Sequence, residues 1–332
     1  MDVSSLVWSL TGVGVVGLLV FDFFAHVRTP HEPTFRESAW WSTVYIVLAL
    51  LFGVAVGAFW GWDHGAEYFA GYVTEKSLSV DNLFVFLIIM TRFAVPRAFQ
   101  QKVLLVGVAI ALVLRTIFIL LGAAAIERWS WVFYIFGAFL VYTGVKLARE
   151  DHDTAEEEQG GDGVVVRFVR RLFPTTTEYD RDRLTTVVDG KRLLTPMLLV
   201  MVAIGSTDIL FALDSIPAIY GLTEEPYIVF TANAFALLGL RQLYFLIGGL
   251  LERLVYLSQG LAVILGFIGV KLLLHAMHTN ELPFVNGGEH VEWAPEIPIW
   301  LSLTVILGTL AVATVASLVK TRSDRRVAAG QE

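Results

Sequence analysis

Ser79-Val80-Asp81-Asn82-Leu83-Phe84 returns 127 residues later as Ser206-Thr207-Asp208-Ile209-Leu210-Phe211, each copy set inside a long apolar stretch. The echo continues: Leu114-Arg115 matches Leu240-Arg241, Glu127-Arg128 matches Glu252-Arg253, and Gly144-Val145-Lys146 matches Gly269-Val270-Lys271. The offset falls from 127 to 125 along the way, so two single-residue gaps relate residues 67–148 to 196–273. Packing alone does not require ionisable residues at repeated positions inside apolar segments, so the duplication points to a function.

The surroundings identify the solvent. Of 332 residues, 56% are hydrophobic and 17% charged, against about 25% charged in soluble chains, and the mean hydropathy is +0.66. A bilayer is the medium. A spanning helix needs about 20 mostly apolar residues, and nine segments qualify: 6–24, 39–60, 67–91, 103–125, 130–148, 196–221, 227–251, 254–275 and 298–319. The expected fold class is all-α, a polytopic transmembrane protein of about nine helices. Helices 1 and 2 fall in 1–66, repeat A (helices 3–5) in 67–148 and repeat B (helices 6–8) in 196–275. Helix 9 and a tail fall in 298–332. Each repeat has an odd number of spans, so the second enters the membrane from the other side and the repeats are inverted.

Charge sets the expected orientation. With the N-terminus outside, 19 of the 24 Lys and Arg fall in inner loops, the inner turn near Arg253 and the tail, and only Arg128 falls outside. The C-terminus is then cytoplasmic. The first segment, Leu6 to Phe24, follows an acidic leader and lacks a small-residue cleavage signal, so it reads as a retained helix. The inner loop 149–195 opens on an acidic low-complexity stretch, Glu150 to Gly163. It continues with alternating apolar and basic residues from Val164 to Phe173 and a hairpin over Leu184–Leu194 turning at Asp189-Gly190. It reads as a tether and as the place where a protein partner would dock. The outer loop 276–297 holds Glu281, Glu289, Glu292 and Glu296, with His275 and His278 close by. Nothing signals nucleic-acid binding. With no cysteine, any metal is held by oxygen or imidazole.

Asp81 and Asp208 fall near the middle of their helices, where a charge costs about 2.5–3.5 kcal/mol to insert. Glu75 precedes the first by six residues and Asp214 follows the second by six, both about 9 Å to the outer side. The expected site therefore has two tiers, with Asp81 and Asp208 at the centre and Glu75 and Asp214 outward. A six-residue step rotates by about 240° on an ideal helix, so either helix 6 deforms, for which Gly205-Ser206 and Pro217 offer places, or the tiers line successive stages of one path. Asn82, Ser79, Ser206, Ser215 and Asn233 offer neutral oxygens, a set suited to Mn²⁺, Mg²⁺ or Ca²⁺. Arg115 and Arg241 read as structural counter-charges or gate elements that a cation would avoid, and Lys76 as a neighbour of Glu75 that substrate or proton displaces. Asp22 and His26 read as an interfacial pair at the inner end of helix 1. Trp40, Trp41, Trp60, Trp62, Trp129, Trp131 and Trp300 read as interface anchors.

Two segments carry a resemblance, Glu75-Lys76-Ser77-Leu78-Ser79-Val80-Asp81-Asn82-Leu83-Phe84-Val85-Phe86 and Thr207-Asp208-Ile209-Leu210-Phe211-Ala212-Leu213-Asp214-Ser215-Ile216-Pro217-Ala218. With Leu238-Gly239-Leu240-Arg241 and Phe173-Pro174-Thr175-Thr176, they resemble the signature segments of the TerC/Alx family within the LysE transporter superfamily. The resemblance spans about 40–320. It implies Mn²⁺ efflux across the bacterial cytoplasmic membrane, with Glu75, Asp81, Asp208 and Asp214 as the acidic signature and the metal as cargo. No prosthetic group is expected, and no enzymatic activity. Some members are named for tellurite resistance. Gly205 departs from many relatives, which carry a glutamate three residues before the second aspartate.

Carboxylates that bind either a metal ion or protons would permit exchange of one for the other. Two mid-membrane aspartates also suit an intramembrane aspartyl protease, but the Tyr-Asp and Gly-x-Gly-Asp contexts usual there are replaced by Val80-Asp81-Asn82 and Thr207-Asp208-Ile209. The remaining alternative is a membrane scaffold or assembly factor in metal or tellurite stress.

Overall fold

The computed structural model describes residues 1–27, 33–129, 131–149, 164–188, 190–247, 255–280, 282, 286, 289, 291 and 293–329. Within these, the side chains of His26, Val27, Asp81, Phe84, Val164, Ile247 and 322–329 are not described. The stretch Glu150–Gly163, the Asp189 turn residue, Glu252-Arg253, Glu281 and Glu292 lie outside the described residues, and so do the side chains of Asp81 and His26.

The protein is a helical bundle: α1 (Ser5–Asp22, extended by a π turn over Phe23–Val27), α2 (Phe35–Trp60), α3 (Trp62–Arg92), α4 (Arg97–Arg128) and α5 (Val132–Arg149), then α6 (Val164–Leu172). A two-stranded antiparallel hairpin follows, β1 (Thr185–Val188) with β2 (Lys191–Leu194). Then come α7 (Pro196–Tyr220), α8 (Pro226–Leu237), α9 (Leu240–Ile247), α10 (Leu257–His278) and α11 (Ile299–Ala329). Local chemistry sets the ends. The Thr34 hydroxyl accepts from the Glu37 amide at the start of α2, Gly61 at φ +105° turns α2 into α3, and prolines open α7 and α8 at a position where a missing N–H costs nothing.

Among the described residues, eight helical segments are long and apolar enough to cross a bilayer, α8 and α9 counting together as one. Exposed Leu10, Leu51, Leu121 and Val315 show that the outer surface of the bundle is apolar, as a lipid-facing wall must be. The ninth expected span, α3, has 31 residues but carries Asp63, Glu67, Glu75, Lys76 and Asp81. Its polarity is tolerated because α2, α7, α8, α9, α10 and α11 all pack on it. Trp40, Trp62, Trp129, Trp131 and Trp300 are exposed close to helix ends, where amphipathic rings anchor in the headgroup layer.

One expectation is corrected. Helix 6, now α7, runs unbroken through Gly205-Ser206 and past Pro217. The interrupted span is the next one, which opens at Leu238-Gly239 between α8 and α9. Gly239 takes φ +79°, and a Cβ there would stand 3.0 Å from Tyr45. The left-handed backbone and the close approach both require glycine.

The last helices of the two repeats, α5 and α10, meet backbone to backbone. A Cβ on Gly144 would lie 2.9 Å from the Ala262 carbonyl oxygen and 3.0 Å from Gly266 N; one on Gly269 would lie 2.9 Å from the Gly137 carbonyl oxygen and 2.8 Å from Val141 N. At the repeat offset of 125, Gly144 corresponds to Gly269, Gly137 to Ala262 and Val141 to Gly266. The two contacts are thus the same contact seen from each repeat, the reciprocity of a two-fold axis between inverted halves. Gly144→Ala and Gly269→Ala are each expected to destabilise the protein by about 1–3 kcal/mol, read as a lowered melting temperature in detergent. Gly266→Ala, whose Cβ meets nothing within 4 Å, is expected to melt like the parent.

Candidate ion site between the repeats

The centre of the bundle is organised by one guanidinium. Arg115 on α4 is fully buried. Its Nη1 donates to Glu75 Oε1 on α3, while Nη2 and Nε donate to the two oxygens of Asp208 on α7, at 3.2 and 3.5 Å. Ser79 adds a hydroxyl donor to Glu75 at 3.4 Å. Glu75 and Asp208 are themselves buried. Arg115, expected as a structural counter-charge or gate element, is a counter-charge that joins one carboxylate from each repeat. A planar fork with several donors does this better than an ammonium, because it can serve two carboxylates at once.

The two-tier arrangement is corrected. Glu75, expected one level outward, shares the Arg115 bridge with Asp208. Asp214 stands on another face of α7, half-buried, accepting from Thr143 Oγ1 on α5 at 3.2 Å. The six-residue step does rotate the two acids of α7 apart, and no break in α7 brings them back. Asp81 belongs to α3 by its backbone. Ser206 turns its hydroxyl to its own helix, donating to the Ala203 carbonyl at 2.9 Å.

The other expected oxygens remain near the centre. Gly71 of α3 abuts Ile219 of α7 and Ala232 of α8. Glu75 lies one turn deeper on α3, Ser215 one turn deeper on the antiparallel α7, and Asn233 follows Ala232, which sets these side chains at adjoining levels. Among the described residues, Glu75 Oε2, Ser215 Oγ, Thr74 Oγ1 and both amide atoms of Asn233 are buried without a hydrogen-bond partner. Asn82 is buried about two turns further along α3 from Glu75. Among the described residues no three His, Asp or Glu side chains converge to hold a metal ion.

Lys76 follows Glu75 on α3 but has a partner on another helix. Its ammonium turns away from Glu75 and donates to the Ala236 carbonyl at 3.0 Å, one of the last carbonyls of α8 before the break. A helix interrupted inside a membrane exposes such acceptors with no water to satisfy them, and Lys76 supplies a donor.

The second repeat's arginine, Arg241 on α9, is also buried and bonded. Nε and Nη2 donate to Asp22 at 3.1 and 2.8 Å, and Nη1 donates to Gln101. Gln242 and Tyr45 also donate to Asp22, at 2.9 and 3.1 Å. Asp22, read from sequence as interfacial, is thus the buried counter-ion that ties α1 to α9, with α2 joined through Tyr45 and α4 through Gln101. The available signal was a carboxylate closing an 18-residue apolar helix. Gln101, at the start of α4, carried no signal.

At the end of the bundle that bears the N-terminus, a cavity of about 450 Å³ is lined by Asp63, Glu67, Glu224, Glu225, Glu296, His64, His275 and Lys271. Thr223 holds Glu67 at 2.7 Å, and His275 contacts Glu224 at 2.8 Å. That hydrogen bond keeps the Glu224 carboxyl below its ordinary range. The expected hairpin on the opposite end is present, and Lys102 fastens its approach to Asp182 at 2.5 Å, which likewise lowers the Asp182 carboxyl.

Two inverted units with ion-paired carboxylates buried between them define a polytopic helical membrane protein of the inverted-repeat class. The family model for the integral membrane protein TerC family matches residues 60–325, and the chain belongs to that family. It is 53% identical to an uncharacterized membrane protein, Rv2723, of Mycobacterium tuberculosis, over 96% of this chain and 80% of that one. It is 40% identical to an uncharacterized membrane protein, STKORF319, of Myxococcus xanthus, over 93% and 90%. It is 38% identical to the membrane protein Alx of Escherichia coli K12, whose name offers it as a candidate membrane-bound redox modulator, over 97% of both chains. No solved structure matches the chain.

The bridge predicts a strong asymmetry among variants. Arg115→Gln leaves two buried carboxylates without their cation and is expected to cost about 3–5 kcal/mol, measured by chemical unfolding in detergent. Removing a carboxylate as well, in Arg115→Gln/Glu75→Gln, is expected to recover part of that loss. Unfolding of Arg115→Gln that coincides with the parent's would show that the bridge does not hold the bundle.

Proposed function

We propose that this protein is a secondary transporter that exports a divalent metal cation, Mn²⁺ by family resemblance, across the bacterial cytoplasmic membrane. The observation that carries the reading is the bridge itself. A positive charge sits between Glu75 and Asp208, one carboxylate from each repeat, at a depth where water cannot stabilise either. In the substrate-bound state the metal replaces the guanidinium as the shared counter-charge. Glu75 Oε2, Ser215 Oγ and Asn233 Oδ1 supply further oxygens of the kind that hard divalent ions prefer, and Asp81 belongs to the same repeat pair by sequence.

The alternation follows from charge neutrality. With Arg115 in place one of the two carboxylate charges is balanced, where a divalent cation would balance both, and the repeats are held together. When the metal enters, Arg115 is released and the repeats are free to rearrange about their common axis. Protons on the same carboxylates would neutralise the return step, which makes metal–proton exchange the expected coupling. With the N-terminus outside, as the distribution of Lys and Arg argues, the acidic 450 Å³ cavity faces outward. There its carboxylates favour cations leaving the site over anions approaching it.

A second reading, a membrane scaffold or assembly factor in metal or tellurite stress, is favoured by the structured segment between α6 and β2, which is pinned to the bundle and largely exposed. If the redox role attributed to Alx extended to this chain, it would run through a bound metal or a partner, since the sequence has no cysteine to cycle.

The decisive measurement is Mn²⁺ flux into proteoliposomes under a pH gradient, with Mg²⁺, Ca²⁺ and Zn²⁺ as competitors. Asp208→Asn and Asp81→Asn are each expected to lower the Mn²⁺ rate by about tenfold or more, equivalent to about 1.4 kcal/mol of lost site stabilisation, in protein that still elutes as a folded species. Asp214→Asn is expected to retain more flux than either. Equal rates for wild type and Asp208→Asn would sink transport through this site and leave the scaffold reading.

A further inference from the structure

The short helix α6 and the segment behind it play no part in the ion site, yet they form a built surface. On a helical wheel of 3.6 residues per turn, Val165, Phe168 and Leu172 share one stripe, Val166 and Val169 lie on the adjoining stripe, and Arg167, Arg170 and Arg171 occupy the rest. The structure separates the two apolar stripes. Val166 is fully buried in the core cluster that contains Met90, Val95 and Met197, and Val169 packs against the same cluster. Phe168 and Leu172, by contrast, are 60% and 58% exposed, and Val165 and Phe173 are exposed with them.

The level of the helix is fixed by what it touches. The Arg170 guanidinium lies 5.8 Å over the ring of Phe93, the residue that caps the end of α3. Tyr179 donates to the Phe93 carbonyl at 2.7 Å, Lys102 of α4 pairs with Asp182, and α6 packs on α7, which begins at Pro196. Since α3 ends, and α4 and α7 begin, at this level, α6 sits where the spanning helices leave the hydrocarbon. Charge changes sign there too. The chain as a whole is −7, but residues 164–195 hold seven Lys and Arg against four Asp and Glu.

We propose that α6 is an interfacial helix whose second apolar stripe enters the adjoining leaflet while its arginines bind anionic phospholipid headgroups. A nine-residue helix that buries one stripe in the bundle and leaves another bare beside a basic arc has the pattern of amphipathic segments that lie in the membrane plane. Arg171 flanks the exposed stripe next to Phe168, where a long side chain reaches phosphate while its stem stays against lipid. The occupant is lipid rather than a soluble partner because the bare stripe lies at the level where α3 ends and α4 and α7 begin, and the flanking charge is complementary to an anionic leaflet. Arg170 on this helix contacts Phe93 at the end of α3, and Asp182 in the segment that follows it pairs with Lys102 at the start of α4, so headgroup binding acts next to the helices that carry Glu75 and Arg115.

The absence of native cysteine allows a direct test on the full-length protein. A spin label is attached at Phe168→Cys, and separately at Val165→Cys, and its accessibility to oxygen and to a water-soluble nickel chelate is compared in nanodiscs. The discs hold phosphatidylcholine alone or with about 30% phosphatidylglycerol. The expected result is an oxygen-accessible, nickel-protected label about 5–10 Å below the phosphates in the anionic discs. The label is expected to shift toward water in neutral discs and in the Arg167→Gln/Arg171→Gln background. A nickel-accessible label in anionic discs overturns the proposal and assigns the stripe to water or a protein partner. A depth indifferent to both phosphatidylglycerol and the arginines overturns the anionic-headgroup assignment.

Discussion

The structure depends on the attraction between one guanidinium and two carboxylates in a medium that hydrates none of them. Moving such ions into a low-dielectric interior costs several kcal/mol apiece, and only close, well-directed partners return it. That constraint explains features that otherwise look unrelated. It explains why α3, too polar to pass as an ordinary span, is enclosed by six other helices. It also explains why the acids lie on helices of different repeats: Arg115 must be reached from two sides, and the two halves of the fold are what stand on those sides. The same rule governs the second ion pair, where Arg241 finds Asp22 across 219 residues of chain.

The broken span follows from the same accounting. Interrupting α8 at Leu238-Gly239 leaves helix-end carbonyls facing a dry interior, and Lys76 from α3 answers one of them. The break in turn starts a new helix at Leu240, which aims Arg241 and Gln242 at Asp22. Lys76 and Arg241 are thus two sides of one local event: one satisfies the end of α8, and the other is positioned by the start of α9.

Much of the fold was legible because it rests on period and composition. The apolar runs, the repeated Ser-x-Asp segments, the odd helix number per repeat and the hairpin at Gly190 are properties of short stretches, and the structure forms each where the residues are described. The site was legible in its members but not in its pairings. Which carboxylate meets which arginine depends on helix rotation and on neighbours far away in sequence, so Glu75 was placed one tier from Asp208 when Arg115 brings them to the same bridge. The break fell at Gly239 rather than at Gly205 or Pro217 because a glycine or proline in an apolar run signals only that deformation is permitted. The close approach of Tyr45, which makes glycine necessary at 239, is visible only in three dimensions.

The glycine seam between α5 and α10 has a consequence for how such a chain can arise. Its two sides are equivalent residues of the two repeats, with Gly144 set on Ala262 as Gly269 is set on Gly137. A surface that binds a copy of itself turned over is the interface of an isologous dimer. A single three-helix unit, inserted half the time in each direction, would already carry what it needs to pair with its oppositely oriented twin. Joining two such units through a long loop on one side replaces a chance encounter in the membrane with a tether. It also lets the halves differ, one carrying Glu75 and the other Asp214, around a symmetry that the backbone contact preserves.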